Sequence, residues 1–215
     1  MVLSNIKAGI FDHSGVLSDD RPPVYEANMI LFDRYGLDRI AFEEWKRAAK
    51  ASASDLLISF GAQAPKEQLD QEYAQTFQEV VSREIDPIKP TMYADAPEAL
   101  DALRSRGLQL AIVSSHPKEN LIRELTDYEI IKFFDEISGD PAPKTERLKE
   151  ICSKFGILPQ EAFFAEDTVY GLRSGHQAGT HCFALTTGYH SRERLESEGT
   201  AVAVVDSLTE ILKHV

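Results

Sequence analysis

The sequence predicts an α/β fold in which a parallel sheet is covered on both faces by helices and an all-helical lobe is inserted near the start. Two observations carry this. Short, continuously apolar runs of strand length alternate with amphipathic helical patterns, which is how strands buried on both faces read. Residues 16–87 break that rhythm, with several helical patterns and no convincing strand. Right-handed crossovers then bring the C-terminal ends of the strands to one edge of the sheet, where ligands bind in such folds.

The first strand is Ala8–Phe11, and it runs directly into Asp12-His13-Ser14-Gly15. Asp20 with Pro22 and Pro23 starts a helix that reaches Tyr35 and stops at Gly36. "FEEWKRAAK" and "SDLLISFG" follow as short helices, and over 65–84 Leu69, Tyr73, Phe77 and Val80 share one helical face. The turn-rich "DPIKPTMYADAP" returns the chain to the core. The expected division is therefore a core of residues 1–15 and 88–215 and a helical lobe of 16–87.

Within the second part of the core, "PEALDALRSRG" is a helix stopped by Gly107, and Leu108–Val113 is a strand ending in "IVSSHP". Phe133–Ile137 is the next strand, and "KTERLKEICSKFG" is a helix whose stripe is Leu148, Ile151, Cys152 and Phe155. Ala162–Ala165 runs into Glu166-Asp167-Thr168. A helix over Val169–Ala178 closes on Gly179, and strands His181–Leu185 and Ala201–Val205 complete the set.

Composition narrows the function classes. With 43% apolar and 27% charged residues the chain reads as a soluble globular protein. No apolar stretch approaches the ~20 residues that span a bilayer, and "MVLSNIKAGIFD" reads as a strand, not a leader. Cys152 and Cys182 form no CxxC pair and fit free thiols in a reducing cytoplasm, the expected location. A net charge of −12 argues against nucleic acid and anionic membranes as partners. A small anionic substrate remains compatible, because a bound cation reverses the local field.

The strand ends collect the chemistry. Asp12 follows the first strand, Ser114 and Ser115 the second, Glu166 and Asp167 a later one, and Lys144 opens the helix after "SGDPAP". Taken singly, each has an ordinary use as a turn former or helix cap. Together on one edge, three carboxylates need a cation, and hard oxygen ligands suit Mg²⁺. Ser114 and backbone N–H groups could hold phosphate oxygens, Lys144 could offset charge, and Asp12 could attack phosphorus.

These residues resemble the motifs of the haloacid dehalogenase superfamily, over nearly the whole chain. "GIFDHSGVL" matches the family's Asp-x-Asp-Gly-Thr/Val-Leu at Asp12, Gly15, Val16 and Leu17, and "LAIVSS" matches the second motif at Ser114. "DPAPKTERL" supplies the motif lysine, Lys144, and "AEDTVYGLRSGHQAGT" is similar to the fourth motif of the phosphoglycolate phosphatase and β-phosphoglucomutase branch. The resemblance implies a Rossmann-like core with a helical cap that closes over the strand edge. It implies Asp12 as nucleophile and Mg²⁺ ligand, Ser14 as a ligand through its backbone carbonyl, Glu166 and Asp167 as further ligands, Ser114 on phosphate and Lys144 orienting the nucleophile. The substrate would be a small phosphorylated metabolite.

Ser14 departs from the pattern, because family phosphatases carry an aspartate there as general acid and base. Losing that group costs roughly 10²–10⁴-fold in rate, about 3–5 kcal/mol of barrier. Three expectations follow. The first is a slow or leaving-group-restricted phosphatase, with His13 or His116 as a weaker candidate proton carrier. The second is a phosphonatase-like enzyme using Lys46 or Lys50 as a Schiff base. The third is a degenerate binding module for a phosphometabolite or protein. Dehalogenation also uses an aspartate nucleophile but needs no Mg²⁺, so paired Glu166–Asp167 weigh against it. Arg47, Lys50 and Tyr25 are the candidate substrate contacts of the helical lobe.

Overall fold

The structure is a computed structural model that describes residues 2–50 and 52–215. The chain divides into two compact units, Met1–Ser18 with Met92–Val215 and Asp19–Thr91. The strands are β1 (Ala8–Phe11), β2 (Ser18–Asp19), β3 (Thr91–Met92), β4 (Gln109–Val113), β5 (Glu136–Ser138), β6 (Ala162–Glu166), β7 (His181–Leu185) and β8 (Ala201–Val205).

In the first unit the sheet order is β5-β4-β1-β6-β7-β8, and the pairs are parallel. The sequence dictates this arrangement. β1 and β4 carry almost no polar side chain, so they can only sit centrally, and Ile10, Phe11, Ala111 and Ile112 are fully buried. Helices α5 (Ala96–Ser105), α6 (Lys118–Asp127), α7 (Lys144–Lys154), α8 (Val169–Ala178), α9 (Arg192–Glu198) and α10 (Leu208–Ile211) cover the sheet. One core layer joins Phe11, Phe163 and Phe183 to Leu100, Leu103 and Leu121; another joins Ile10 and Phe164 to Leu148 and Ile151.

Register sets up the site. Phe11 lies opposite both Ile112 and Ala165, so the residues that follow these strands leave the sheet at one level. Two glycines bring α8 onto that sheet. A Cβ at Gly171 would fall 1.8 Å from Glu166 Oε2, and one at Gly175 would fall 2.6 Å from Cys182 Sγ.

The second unit contains α1 (Arg21–Arg34), α2 (Phe42–Ala48), α3 (Ala53–Ser59) and α4 (Lys66–Ser82). Its interior holds Leu31, Phe32, Leu56, Leu57, Leu69 and Val80. On α4 the buried positions are Leu69, Thr76 and Val80, while Tyr73 and Phe77, expected on that face, are half-buried. Asp20 sits at the α1 N-cap but makes no side-chain capping bond; the first-turn prolines set the helix start instead.

Several elements differ from expectation. The bounds of the helical unit are 19–91, where the sequence suggested 16–87. Val16 and Leu17 are fully buried in the sheet core, and the Tyr93 N–H donates to the Leu17 carbonyl at 3.0 Å. The short strand β2 lies in the stretch expected to hold none. The strand expected at Phe133–Ile137 begins later, as β5, because residues 131–133 form a 3-10 turn that packs Phe133 and Phe134 against the core. Helix α6 was not anticipated, although Leu121 and Leu125 give it a buried face at i, i+4 spacing.

Phe163 is fully buried and meets Phe11 and Phe183 edge-on at 5.6 and 5.4 Å. Phe163→Ala is expected to lower stability by roughly 3–5 kcal/mol in urea unfolding. A loss below 1 kcal/mol would contradict the packing described here.

Candidate active site

Asp12 is the first residue past β1, and its N–H still donates to the Ala165 carbonyl at 2.9 Å, which fixes its position against β6. The chain then turns sharply. The His13 carbonyl accepts from the N–H groups of Leu17 and Ser18, and Gly15 adopts φ +73°. A Cβ at Gly15 would lie 2.4 Å from Asp167 Oδ2, so only glycine fits between this turn and the carboxylate.

Lys144 opens α7 and reaches inward. Its Nζ donates at 2.7 Å to Asp12 Oδ2 and at 2.7 Å to Glu166 Oε2. The other Glu166 oxygen, Oε1, accepts from the N–H groups of Asp167 and Thr168 and from the Thr168 hydroxyl, all at 3.0 Å. Asp167 Oδ2 accepts from the Tyr189 N–H at 2.7 Å. The cap of α8 is Thr168, whose hydroxyl accepts from the Gly171 N–H, so the acidic pair is not spent on capping.

Asp12, Glu166 and Asp167 are all buried, and each offers an oxygen within 4.8 Å of the others. Three anions and one lysine leave an uneven balance. Burial, helped by the charge of Glu166, raises the Asp12 pKa to about 6 against the pull of Lys144. Burial also disfavours charge on Glu166, but Lys144 and the surrounding N–H groups outweigh it and hold this carboxyl below its usual range. Asp167 is pushed well up, by burial first and then by Glu166 and Asp12. Burial opposes the charge on Lys144 too, yet its two carboxylate partners hold its pKa above the usual lysine range. An all-oxygen cluster with surplus negative charge is the donor set that suits a hard divalent cation such as Mg²⁺.

At the end of β4, the Ser114 N–H donates to the Ser138 carbonyl. Its Oγ accepts from the His116 N–H at 3.2 Å and lies 3.3 Å from His116 Nδ1. Ser115 points outward and is exposed. His13 is fully buried and directed to α6, its Nε2 2.8 Å from Glu124 Oε2. The rings of His13 and His116 meet edge-on at 5.4 Å, so His116 is half-buried against a neighbour and not a freely solvated loop residue.

The helical unit holds the remaining candidates. Arg47 and Lys50 are exposed. Lys46 pairs with Glu43 at 3.6 Å and lies over the Phe42 ring at 6.0 Å. The Tyr25 hydroxyl donates to the Ile40 carbonyl, and its ring packs on Phe42 and Trp45.

The loop after β7 was missed by sequence reasoning. Besides Tyr189, its Thr187 hydroxyl donates to the Gly15 carbonyl at 2.6 Å, and the Tyr93 hydroxyl donates to the Thr187 carbonyl at 2.7 Å. His190 Nδ1 accepts from the Val169 N–H at the start of α8. The glycine in "TTGYH" was the available signal, but it marks a turn without saying which side chain the turn touches.

This is an α/β core with a carboxylate cluster and a lysine at the ends of its central strands. The chain belongs to the haloacid dehalogenase-like hydrolase family, whose model matches residues 9–185. It is 27% identical over 220 aligned positions to N-acetylmuramic acid 6-phosphate phosphatase of Pseudomonas aeruginosa, covering 96% of this chain and 93% of that one. It is 32% identical to phosphoglycolate phosphatase of Haemophilus influenzae over 104 residues, but that alignment spans only 46% of each chain. A haloacid dehalogenase-like hydrolase from Streptococcus pneumoniae superposes with a TM-score of 0.84 at 17% identity, over 98% of this chain and 99% of the other.

Gly171→Ala would press a methyl group on Glu166; if the carboxylate cluster takes Mg²⁺, its affinity should fall about 10-fold or more in calorimetry. An unchanged affinity would show that Glu166 has no part in holding the ion.

His190 gives a pH expectation. Burial, and then the charge of Arg194, lowers its pKa to about 4. The unfolded chain takes up this proton near pH 6.5 and the folded protein only near 4, so stability falls as pH drops across that window. The difference between wild type and His190→Asn, which keeps an acceptor for Val169, should reach on the order of 2–3 kcal/mol by pH 4 and vanish above pH 7. Parallel stability curves at all pH values would contradict it.

Proposed function

We propose that this protein is a Mg²⁺-dependent phosphatase or phosphotransferase that acts on a small phosphorylated metabolite through an aspartyl-phosphate at Asp12. The observation that carries this reading is Lys144 Nζ, 2.7 Å from both Asp12 and Glu166 inside a buried cluster of three carboxylates. A turn or a set of helix caps needs no such arrangement, whereas a nucleophile facing a phosphate dianion does.

In this reading Asp12, Glu166, Asp167 and the Ser14 carbonyl hold the ion. Bound Mg²⁺ supplies the positive charge that keeps neighbouring carboxylates ionised and draws electron density from the phosphoryl group. Lys144 keeps Asp12 deprotonated and aims it. Ser114, with the N–H groups that follow it, grips the phosphate oxygens. The Asp12 carboxylate attacks phosphorus, the leaving oxygen departs with the bond electrons and takes a proton from solvent, and water then attacks the acyl phosphate, releasing inorganic phosphate and regenerating Asp12. The helical unit is assigned the role of cap, with Arg47 and Lys50 as its candidate substrate contacts. The relatives named as phosphatases of phosphoglycolate and of N-acetylmuramic acid 6-phosphate support a small phosphorylated substrate.

Ser14 sets the limits of the reaction. A serine hydroxyl leaves the backbone carbonyl available to the ion but exchanges protons poorly near neutral pH, so the leaving group must depart with little help. Good leaving groups are the expected substrates, and the Schiff-base alternative is not favoured.

The test is hydrolysis of acetyl phosphate, p-nitrophenyl phosphate and an alkyl phosphate, with and without Mg²⁺. Wild type should cleave the first two slowly and only with Mg²⁺, and Asp12→Asn should abolish turnover. Ser14→Asp should raise the alkyl phosphate rate by roughly 10²–10⁴-fold. Turnover that survives Asp12→Asn would overturn the mechanism, and a wild type inert on all three would overturn the enzymatic assignment.

A further inference from the structure

We propose that Arg147 is a positioning residue for the phosphate side of the site, holding in place the end of β4 that carries Ser114. This rests on the phosphatase reading above.

Arg147 lies three residues after Lys144, so one face of α7 delivers two cations in its first turn. Lys144 goes to Asp12 and Glu166. Arg147, only 6% exposed, goes to the neighbouring strand ends. Its Nη2 donates to the Ser114 carbonyl at 2.6 Å and also to the Ser138 carbonyl; its Nε donates to Ser138 Oγ at 2.9 Å; its Nη1 donates to the Asp140 carbonyl at 2.8 Å. The fork thus ties the end of β4, which carries Ser114, to the end of β5 and the loop after it. Asp140, at φ +73°, closes the same seam from the other side. Its N–H donates to the His116 carbonyl at 2.6 Å, and its Oδ1 accepts from the Lys118 N–H at 3.0 Å.

Every acceptor on the Arg147 guanidinium is neutral. Among the described residues no carboxylate lies within ion-pair distance of it. A guanidinium stays charged under all ordinary conditions, and burying it without an anion is costly. Burial holds the pKa of Arg147 below the usual arginine value, and the foremost influence opposing this is Asp12, the proposed nucleophile. The fork therefore fixes the Ser114 carbonyl, and with it the hydroxyl and following N–H groups that the phosphatase reading assigns to the phosphate oxygens.

The experiment measures binding of inorganic phosphate by calorimetry in the presence of Mg²⁺, together with Mg²⁺ affinity and Tm, for wild type, Arg147→Met and Arg147→Lys. Arg147→Met should weaken phosphate binding at least ~10-fold and raise KM for p-nitrophenyl phosphate in step, with kcat changed less than about 3-fold and Mg²⁺ affinity within about 2-fold. Arg147→Lys keeps the charge without the fork and should fall between. If Arg147→Met does not fold, Arg147→Lys decides: unchanged phosphate affinity would overturn the positioning role. Phosphate affinity preserved in Arg147→Met would overturn the inference alone. So would parallel losses of phosphate affinity, Mg²⁺ affinity and Tm, which mark a purely structural part. A wild type that binds no phosphate would instead overturn the reading of the site on which the inference rests.

Discussion

Lys144, half-buried, bridges Asp12 and Glu166, and the arrangement of the strand ends depends on that contact. Two carboxylates this close inside a sheet cannot both stay ionised unless a cation lies between them. Lys144 draws the Asp12 carboxyl down against the burial that raises it. The lysine covers only part of the charge, and burial first, then Glu166 and Asp12, push Asp167 well above its usual range. The imbalance is what makes the cluster suited to a divalent ion and not merely to a salt bridge.

Holding that cluster together falls mostly to the backbone and to absent side chains. β1 and β6 leave the sheet in register, so Asp12 and Glu166 emerge side by side without any loop having to place them. Gly15 and Gly171 leave room for Asp167 and Glu166 respectively. The loop after β7 supplies an N–H to Asp167 and a hydroxyl to the turn that carries Asp12. The first turn of α7 then serves two sides at once, with Lys144 on the carboxylates and Arg147 behind Ser114.

Ser14 stands in the turn between Asp12 and Gly15, where the resemblance leads one to expect an aspartate. Asp12, Lys144, Glu166, Asp167 and Ser114 all lie at the strand ends around it, so in the proposed reading a serine at position 14 changes proton supply and leaves the surrounding donors in place. His13, a candidate proton carrier in the same turn, is fully buried and has its Nε2 engaged with Glu124 on α6.

The sequence by itself determined the parallel sheet, most strand positions and the set of residues at the strand ends, because uninterrupted apolar runs and strand-end carboxylates are local signals. It also determined the insertion of a helical unit, though not its limits: Val16 and Leu17 look like any short apolar pair until the sheet core is seen to bury them. Tertiary structure decided which oxygen Lys144 holds, how far Asp167 is pushed toward its neutral form, and that Ser115 faces outward while Ser114 does not. It alone revealed the Tyr189 N–H on Asp167 and the Arg147 fork on Ser114. Those contacts join residues 22 and 33 positions apart through backbone groups, and every residue type carries the same backbone N–H and carbonyl, so no local pattern marks the ones a fold will use.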